Sequence, residues 1–178
     1  IEVKKEPHFI HLILNRPDKH NAFHPEMIKE LTEFFKNIDA LNVFRALIFS
    51  GAGKSFSSGA DLAWMQSMVN YTLKQNIEDS EALFDMFLAM VQCPLPIITL
   101  VHGHAMGGAL GLISASDIVI AEKDAKFCFS EVKLGLVPAV ISPFVLNKMS
   151  HALASQFMMT AQVFTSTEAQ QSGLVTMV

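Results

Sequence analysis

Charge is scarce in this chain, at 17% of 178 residues, and the 13 lysines and arginines are scattered rather than gathered into a stripe. Nucleic-acid surfaces need such a stripe, so nucleic acid is not expected as a partner. Cysteine is scarcer still. Cys93 and Cys128 have no metal-ligand spacing and are too few for a disulfide framework, which makes a reducing cytoplasm the default compartment. No apolar signal segment opens the chain, since it begins Ile1-Glu-Val-Lys-Lys-Glu6. It also begins without Met, as a trimmed N-terminus would. A fixed-period repeat, a low-complexity tract and a linker are all lacking, so residues 1–178 read as a single domain. One uncharged run, Met86 to Ser116, is long enough to span a bilayer. It is broken by Pro94, Pro96, His102, His104 and several glycines, and a buried strand followed by a buried helix is the better reading, with no membrane partner expected.

What is abundant is apolar surface. Hydrophobic residues make up 51% of the chain, with a net charge of −4. That excess suggests a face covered by another subunit or by chain not present here, and the apolar end Leu174-Val-Thr-Met-Val178 suggests that more protein follows. The pattern runs strand (9–14), loop (15–21), helix from His24-Pro-Glu, and strand (45–50). A glycine-bearing corner to Gly59 follows, then helical stretches after Asp61 and through 81–90. Next come an apolar strand after Pro96, a second glycine corner, strands at 118–121 and 126–129, and helices near 142–149, 152–160 and 166–172. Alternating strands and helices with mostly apolar strands give an α/β fold on a largely parallel sheet.

Familiar site motifs are missing. Gly51-Ala-Gly-Lys-Ser55 imitates a phosphate loop, but Ile48 stands where its first glycine belongs. Gly103 to Gly111 lacks the G-x-G-x-x-G spacing, no G-x-S-x-G elbow occurs, and His102 and His104 have no third ligand nearby, so no metal is expected. Two glycine corners remain, Ser57-Ser-Gly-Ala-Asp61 and Met106-Gly-Gly-Ala109. If their strands are neighbours, both corners open on one sheet edge, and one backbone N–H from each could hold an oxyanion. The alternative is two tight turns with glycine serving geometry alone. Glu131 follows a strand amid apolar neighbours, where desolvation would raise its pKa and suit it to take and give a proton. The alternative is a capping or salt-bridged residue, with Lys133 nearby.

Together the segments Asn15–Ala22, Ser55–Leu62, Val101–Ala109, Ser116–Ala121, Phe129–Pro138 and Thr167–Leu174, in this order, resemble the enoyl-CoA hydratase/isomerase (crotonase) superfamily. The resemblance implies a crotonase-like spiral of ββα units, trimers or hexamers, and an acyl-CoA thioester substrate, with no cofactor beyond the coenzyme A it carries. It also implies C-terminal helices, mostly absent from this chain. The family's oxyanion hole falls on the amides of Ala60 and Gly108, and Glu131 matches an acid/base glutamate. His20, Ala22, Ser58, Ala60, Asp61, Leu62, Ala63 and Gly108 fall on the substrate-binding side. Trp64, Met65, Met68 and Pro138–Phe144 are candidate lining for the acyl pocket. Leu41-Asn-Val-Phe-Arg45 is short beside relatives. The chain departs from many hydratases at Gly111, where they carry a second glutamate. The stretch 127–143 is nevertheless similar to bacterial hydratases of the methylglutaconyl-CoA type, which can lack it, and so hydration leads. A Δ3,Δ2-enoyl-CoA isomerase, which needs one glutamate, is the alternative; an inactive scaffold is a third reading.

Overall fold

The computed structural model describes residues 1–38 and 44–178, so most of the short segment at 41–45 lies outside them. Eight strands and seven helices follow in the order β1 (Glu2–Lys5), β2 (Phe9–Leu14), α1 (Pro25–Lys36), β3 (Ala46–Gly51), α2 (Leu62–Met68), α3 (Leu73–Val91), β4 (Ile97–Val101), β5 (His104–Met106), α4 (Ala109–Ser114), β6 (Ile118–Ala121), β7 (Lys126–Cys128), α5 (Ser142–Lys148), α6 (His151–Thr160), β8 (Phe164–Thr165) and α7 (Ser166–Gln171).

Alternation explains the first layer. Ile10, Leu12 and Leu14 of β2, Leu47 and Phe49 of β3, Ile97 and Val101 of β4, and Val119 of β6 all point to one face and are buried. These strands form a five-stranded sheet in the order β1-β2-β3-β4-β6, parallel except for β1, which pairs antiparallel with β2. Parallel strands cannot be joined by a hairpin, so each connection leaves the sheet. Here each does so by way of a second layer. Phe23 bridges Ala60, Ser57 bridges Ala105, and β5 pairs with β7, all parallel, while β8 closes that layer antiparallel to β7. The repeating unit is therefore one strand in each layer followed by a helix. The expected spiral of ββα turns is present, and the uncharged run 86–116 is divided among α3, β4, β5 and α4. No helix among the described residues is long and apolar enough to cross a membrane.

The core between the layers is aromatic. Phe23, Phe49, Phe56, Phe87, Phe127, Phe129 and Phe164 are fully buried, each contributing about 2–3 kcal/mol of transfer free energy. One polar side chain ties the early loops to this core. Asn21, itself buried and left-handed (φ 53°), donates from Nδ2 to the carbonyls of Ala52, Ser55 and Phe56 at 2.8–3.1 Å, and its Oδ1 accepts from the Arg16 amide at 2.9 Å. Asparagine tolerates that backbone region and supplies the donors the loop carbonyls need.

Candidate active site

The spiral places the residues that leave the second layer in successive turns above one another. Ala60 follows the Ser57 bridge, Gly108 follows β5, and Glu131 follows β7. The first two corners touch through backbone: the Ser57 amide donates to the His104 carbonyl at 3.2 Å, and the Met106 amide donates to the Ser57 carbonyl at 3.0 Å. Contact this close requires glycine. At Gly59 (φ 84°) a Cβ would lie 2.5 Å from the Met106 carbonyl oxygen and 3.2 Å from the Gly108 nitrogen.

Most amides around these corners are satisfied. Asp61 N–H donates to Phe23 O at 3.0 Å, and Gly107 N–H donates to Cys128 O at 2.8 Å. The amides of Ala60 and Gly108 make no hydrogen bond to any described residue. Both residues line a cleft of about 200 Å³, together with Ser58, Leu62, Gly107, Ser130 and Glu131. Two N–H groups left free at the wall of an apolar cleft are donors available to a bound oxyanion. The helix behind Gly108 adds less than its place suggests, because α4 has only six residues and a short dipole.

Glu131 opens a short 3-10 turn, Glu131–Leu134, beyond the end of β7. Its Oε2 is buried with no hydrogen-bond partner among the described residues, and Lys133 forms no ion pair with it there. Burial pushes its carboxyl above the usual glutamate range. The rest of the wall is apolar, including Phe23, Met65, Leu83, Pro138 and Ile141.

Of the residues assigned to substrate, Ser58, Ala60, Leu62 and Gly108 share this cleft with Glu131, whereas His20, Ala22, Asp61 and Ala63 do not line it. His20 is exposed and left-handed (φ 49°), with Nδ1 3.3 Å from Ser55 Oγ, and its carbonyl accepts from the Ser58 amide at 2.9 Å. The Ala22 carbonyl accepts from Arg16 Nη1 at 3.1 Å. Of the expected pocket residues, Met65 faces the cleft, Met68 faces a groove outside it, and Trp64 packs on the core. Pro138 through Ile141 line the cleft, but Phe144 lies in the core, its ring 5.4 Å from that of Phe87. Gly107, part of the second glycine corner, and Ser130, directly before Glu131, are cleft residues that sequence reasoning does not assign to the site.

Asp61 caps α2 through Oδ1, which accepts from the Ala63 amide at 2.8 Å, while Oδ2 pairs with Arg16 Nη1 at 2.6 Å. The Arg16 hydrogen bond chiefly holds its carboxyl below the usual carboxylate range. A depressed folded pKa gives stability that is complete above the unfolded value and lost as pH falls through the folded one. Asp61→Ala is expected to cost about 1 kcal/mol at neutral pH through loss of the cap. Thermal melts of the variant should also show a weaker loss of stability in acid than the parent, and melts that coincide at every pH would contradict the assignment.

Gly111, in α4, is fully enclosed. A Cβ there would stand 2.6 Å from Phe87 Cζ and 2.6 Å from Ile141 Cγ2. The direction in which a second carboxylate would extend is thus filled by two apolar side chains.

The family model for enoyl-CoA hydratase/isomerase matches residues 5–178, and the chain belongs to that family. It is similar to an enoyl-CoA hydratase of Shewanella pealeana, whose solved structure superposes with a TM-score of 0.92 at 41% identity, covering 98% of this chain and 66% of that one. It is 32% identical over 174 residues to an enoyl-CoA hydratase of Alternaria alternata and 35% identical over 186 residues to the mitochondrial Delta(3,5)-Delta(2,4)-dienoyl-CoA isomerase of Rattus norvegicus. Those matches cover 98% and 97% of this chain, which spans 56% of the length of each of the two relatives.

Proposed function

We propose that the intact protein hydrates a 2-enoyl-CoA thioester, with the free amides of Ala60 and Gly108 holding the thioester oxygen and Glu131 moving the protons. The observation that carries this reading is the meeting of two unpartnered N–H groups and one desolvated carboxylate in a single apolar cleft. As the oxygen of water bonds to Cβ of the substrate, the C=C electron pair moves through Cα to the thioester oxygen. The enolate formed there gains most from donors already in place, each worth roughly 3–4 kcal/mol in such sites. Glu131 takes the proton that water releases and returns it to Cα, so that H and OH of one water are added across the double bond. A carboxyl whose two charge states are closer in energy at neutral pH suits both halves of that exchange. His20, Ala22, Asp61 and Ala63, outside the cleft, are assigned to the coenzyme A side, and a trimer or hexamer to the assembly.

A second reading is an enoyl-CoA isomerase, with Glu131 moving one proton between C2 and C4. The apolar filling around Gly111 favours it, because isomerisation needs no second carboxylate. Incubating the intact protein with 2-butenoyl-CoA and, separately, with a 3-enoyl-CoA divides the two. Formation of the 3-hydroxyacyl thioester from the first is the expected result. Conversion of the second to a 2-enoyl thioester without any hydroxy product would leave the isomerase.

A further inference from the structure

We propose that Phe23 is a positioning residue that sets the spacing of the two cleft amides, its backbone aiming the Ala60 N–H and its ring bearing on Gly108. This rests on the reading of those amides as the oxyanion site, which the hydratase and isomerase readings share. Three observations lead to it.

The first is the backbone pairing. Phe23 bridges Ala60 in parallel, its N–H donating to Gly59 O at 2.9 Å and its carbonyl accepting from Asp61 N–H at 3.0 Å. Both bonds are made by the neighbours of Ala60. Successive N–H groups of an extended segment leave on opposite edges, so the Ala60 N–H is turned away from the Phe23 backbone and stays free.

The second is the reason residue 108 is glycine. Its backbone is helical (φ −55°, ψ −18°), a conformation open to any residue. The constraint is the ring: a Cβ at 108 would stand 2.6 Å from Phe23 Cζ and 3.3 Å from Cε2. The tip of the ring thus fills the side-chain place of Gly108, beside the Cα that carries the second amide nitrogen.

The third is that Phe23 is held on every side. It is fully buried. Arg16 Nη1 donates to Ala22 O at 3.1 Å and pairs with Asp61 Oδ2 at 2.6 Å, tying the residue before Phe23 to the residue after Ala60. Further along, the Ser58 amide donates to His20 O at 2.9 Å and Ser57 Oγ donates to Asn21 O at 2.9 Å. The two corners are also joined by backbone at Met106 and Ser57, and the ring adds the contact at Gly108 itself. An oxyanion gains most from donors whose spacing need not adjust as its charge forms.

The test joins a rate to a spectrum of the intact protein. Butanoyl-CoA labelled with carbon-13 at the thioester carbonyl has no double bond and binds without being converted. Donors to its oxygen lower the carbonyl stretch in isotope-edited infrared difference spectra, and the parent is expected to lower it relative to the free thioester. Phe23→Leu, which withdraws the ring tip, should lose much of that lowering. Its kcat for the enoyl-CoA that the parent converts should fall roughly 30-fold with KM little changed. Gly108→Ala, which sets a methyl against the ring, should cost roughly 100-fold. The double variant Phe23→Leu/Gly108→Ala makes room for that methyl and should turn over roughly tenfold faster than Gly108→Ala alone. Phe23→Met, closer to Phe in volume, runs the same cycle where Leu does not fold. A Phe23 variant with the parent's stretch and kcat overturns the role of Phe23 and leaves the oxyanion reading standing. So does a double variant whose loss is the product of the single losses. A parent that binds butanoyl-CoA without lowering the stretch overturns the oxyanion reading, and this assignment with it.

Discussion

Glu131→Gln is expected to lower turnover of any enoyl-CoA substrate by roughly 10³- to 10⁴-fold, the range a positioned acid/base contributes, while the melting temperature changes little or rises. The two halves of this expectation have one cause. Glu131 Oε2 is buried without a hydrogen-bond partner among the described residues, so ionising this carboxyl in the folded protein carries an uncompensated desolvation cost. A neutral amide of the same shape removes that cost and removes the chemistry. The sign of the pH dependence follows as well. Burial raises the folded pKa above the ordinary glutamate range, so the folded state holds its proton to higher pH than the unfolded chain. Stability owed to this group is therefore lost as pH rises through the folded value, the opposite of Asp61. In kinetics, the acidic limb of kcat/KM for the parent should lie above the ordinary glutamate range, and the residual activity of the Gln variant should lack that limb. Full activity in the Gln variant, or an acidic limb unchanged by the substitution, would remove Glu131 from the mechanism.

Much of this was legible in the chain, and the division between what was and was not has a physical basis. Segments with their own pattern declared themselves: β2 by partial apolar alternation, β6 by a short apolar run, and α1 by helical spacing. The strands that went unread are those whose reason to exist lies elsewhere in the molecule. β1 is Glu-Val-Lys-Lys, and it is a strand because Val3 pairs with Leu12 across an edge. β5 and β8 have three and two residues, and only their register on β7 makes them strands. The second layer was therefore invisible to periodicity, and the spiral was reached through resemblance rather than through the order of strands. The site divides the same way. Gly59 and Gly108 marked the two corners, and apolar neighbours marked Glu131, because these are local signals. Gly107 shares the signal of its corner without being distinguished from Gly108, and Ser130 carries no local signal that separates it from an ordinary turn residue. Their relation to Glu131 arises only when β5 and β7 are laid side by side. Facing on α2 was likewise undecided, since Trp64, Met65 and Met68 are equally apolar and only packing assigns one to the core, one to the cleft and one to the outer groove.

Restoring a glutamate at position 111 is expected to damage the fold rather than add a catalytic group. The Cβ alone would be 2.6 Å from Phe87 Cζ, 2.8 Å from Phe87 Cε1 and 2.6 Å from Ile141 Cγ2. Phe87 has little room to withdraw, being fully buried with its ring 5.4 Å from that of Phe144, and Ile141, buried against α4, could move only into the cleft it lines. Overpacking of this kind costs about 1–3 kcal/mol, and a carboxyl forced among phenylalanine and isoleucine carbons adds a desolvation cost of similar size. A combined loss of roughly 4 kcal/mol in a chain of this length corresponds to a fall of about 10 °C in melting temperature. The partner substitution Phe87→Ala removes one of the two obstacles, and Phe87→Ala is itself destabilising by about 3–5 kcal/mol through the cavity it leaves. Because the added side chain would occupy that cavity, the double variant Gly111→Glu/Phe87→Ala should lose less than the sum of the two single losses, a coupling that thermal melts of all four proteins measure directly. Strict additivity would mean that Phe87 is not the obstacle, and a Gly111→Glu protein that melts with the parent would mean that this wall yields. Within the geometry described, position 111 belongs to the packing of α4 against α3 and α5, and the polar side of the cleft is the Gly107 side.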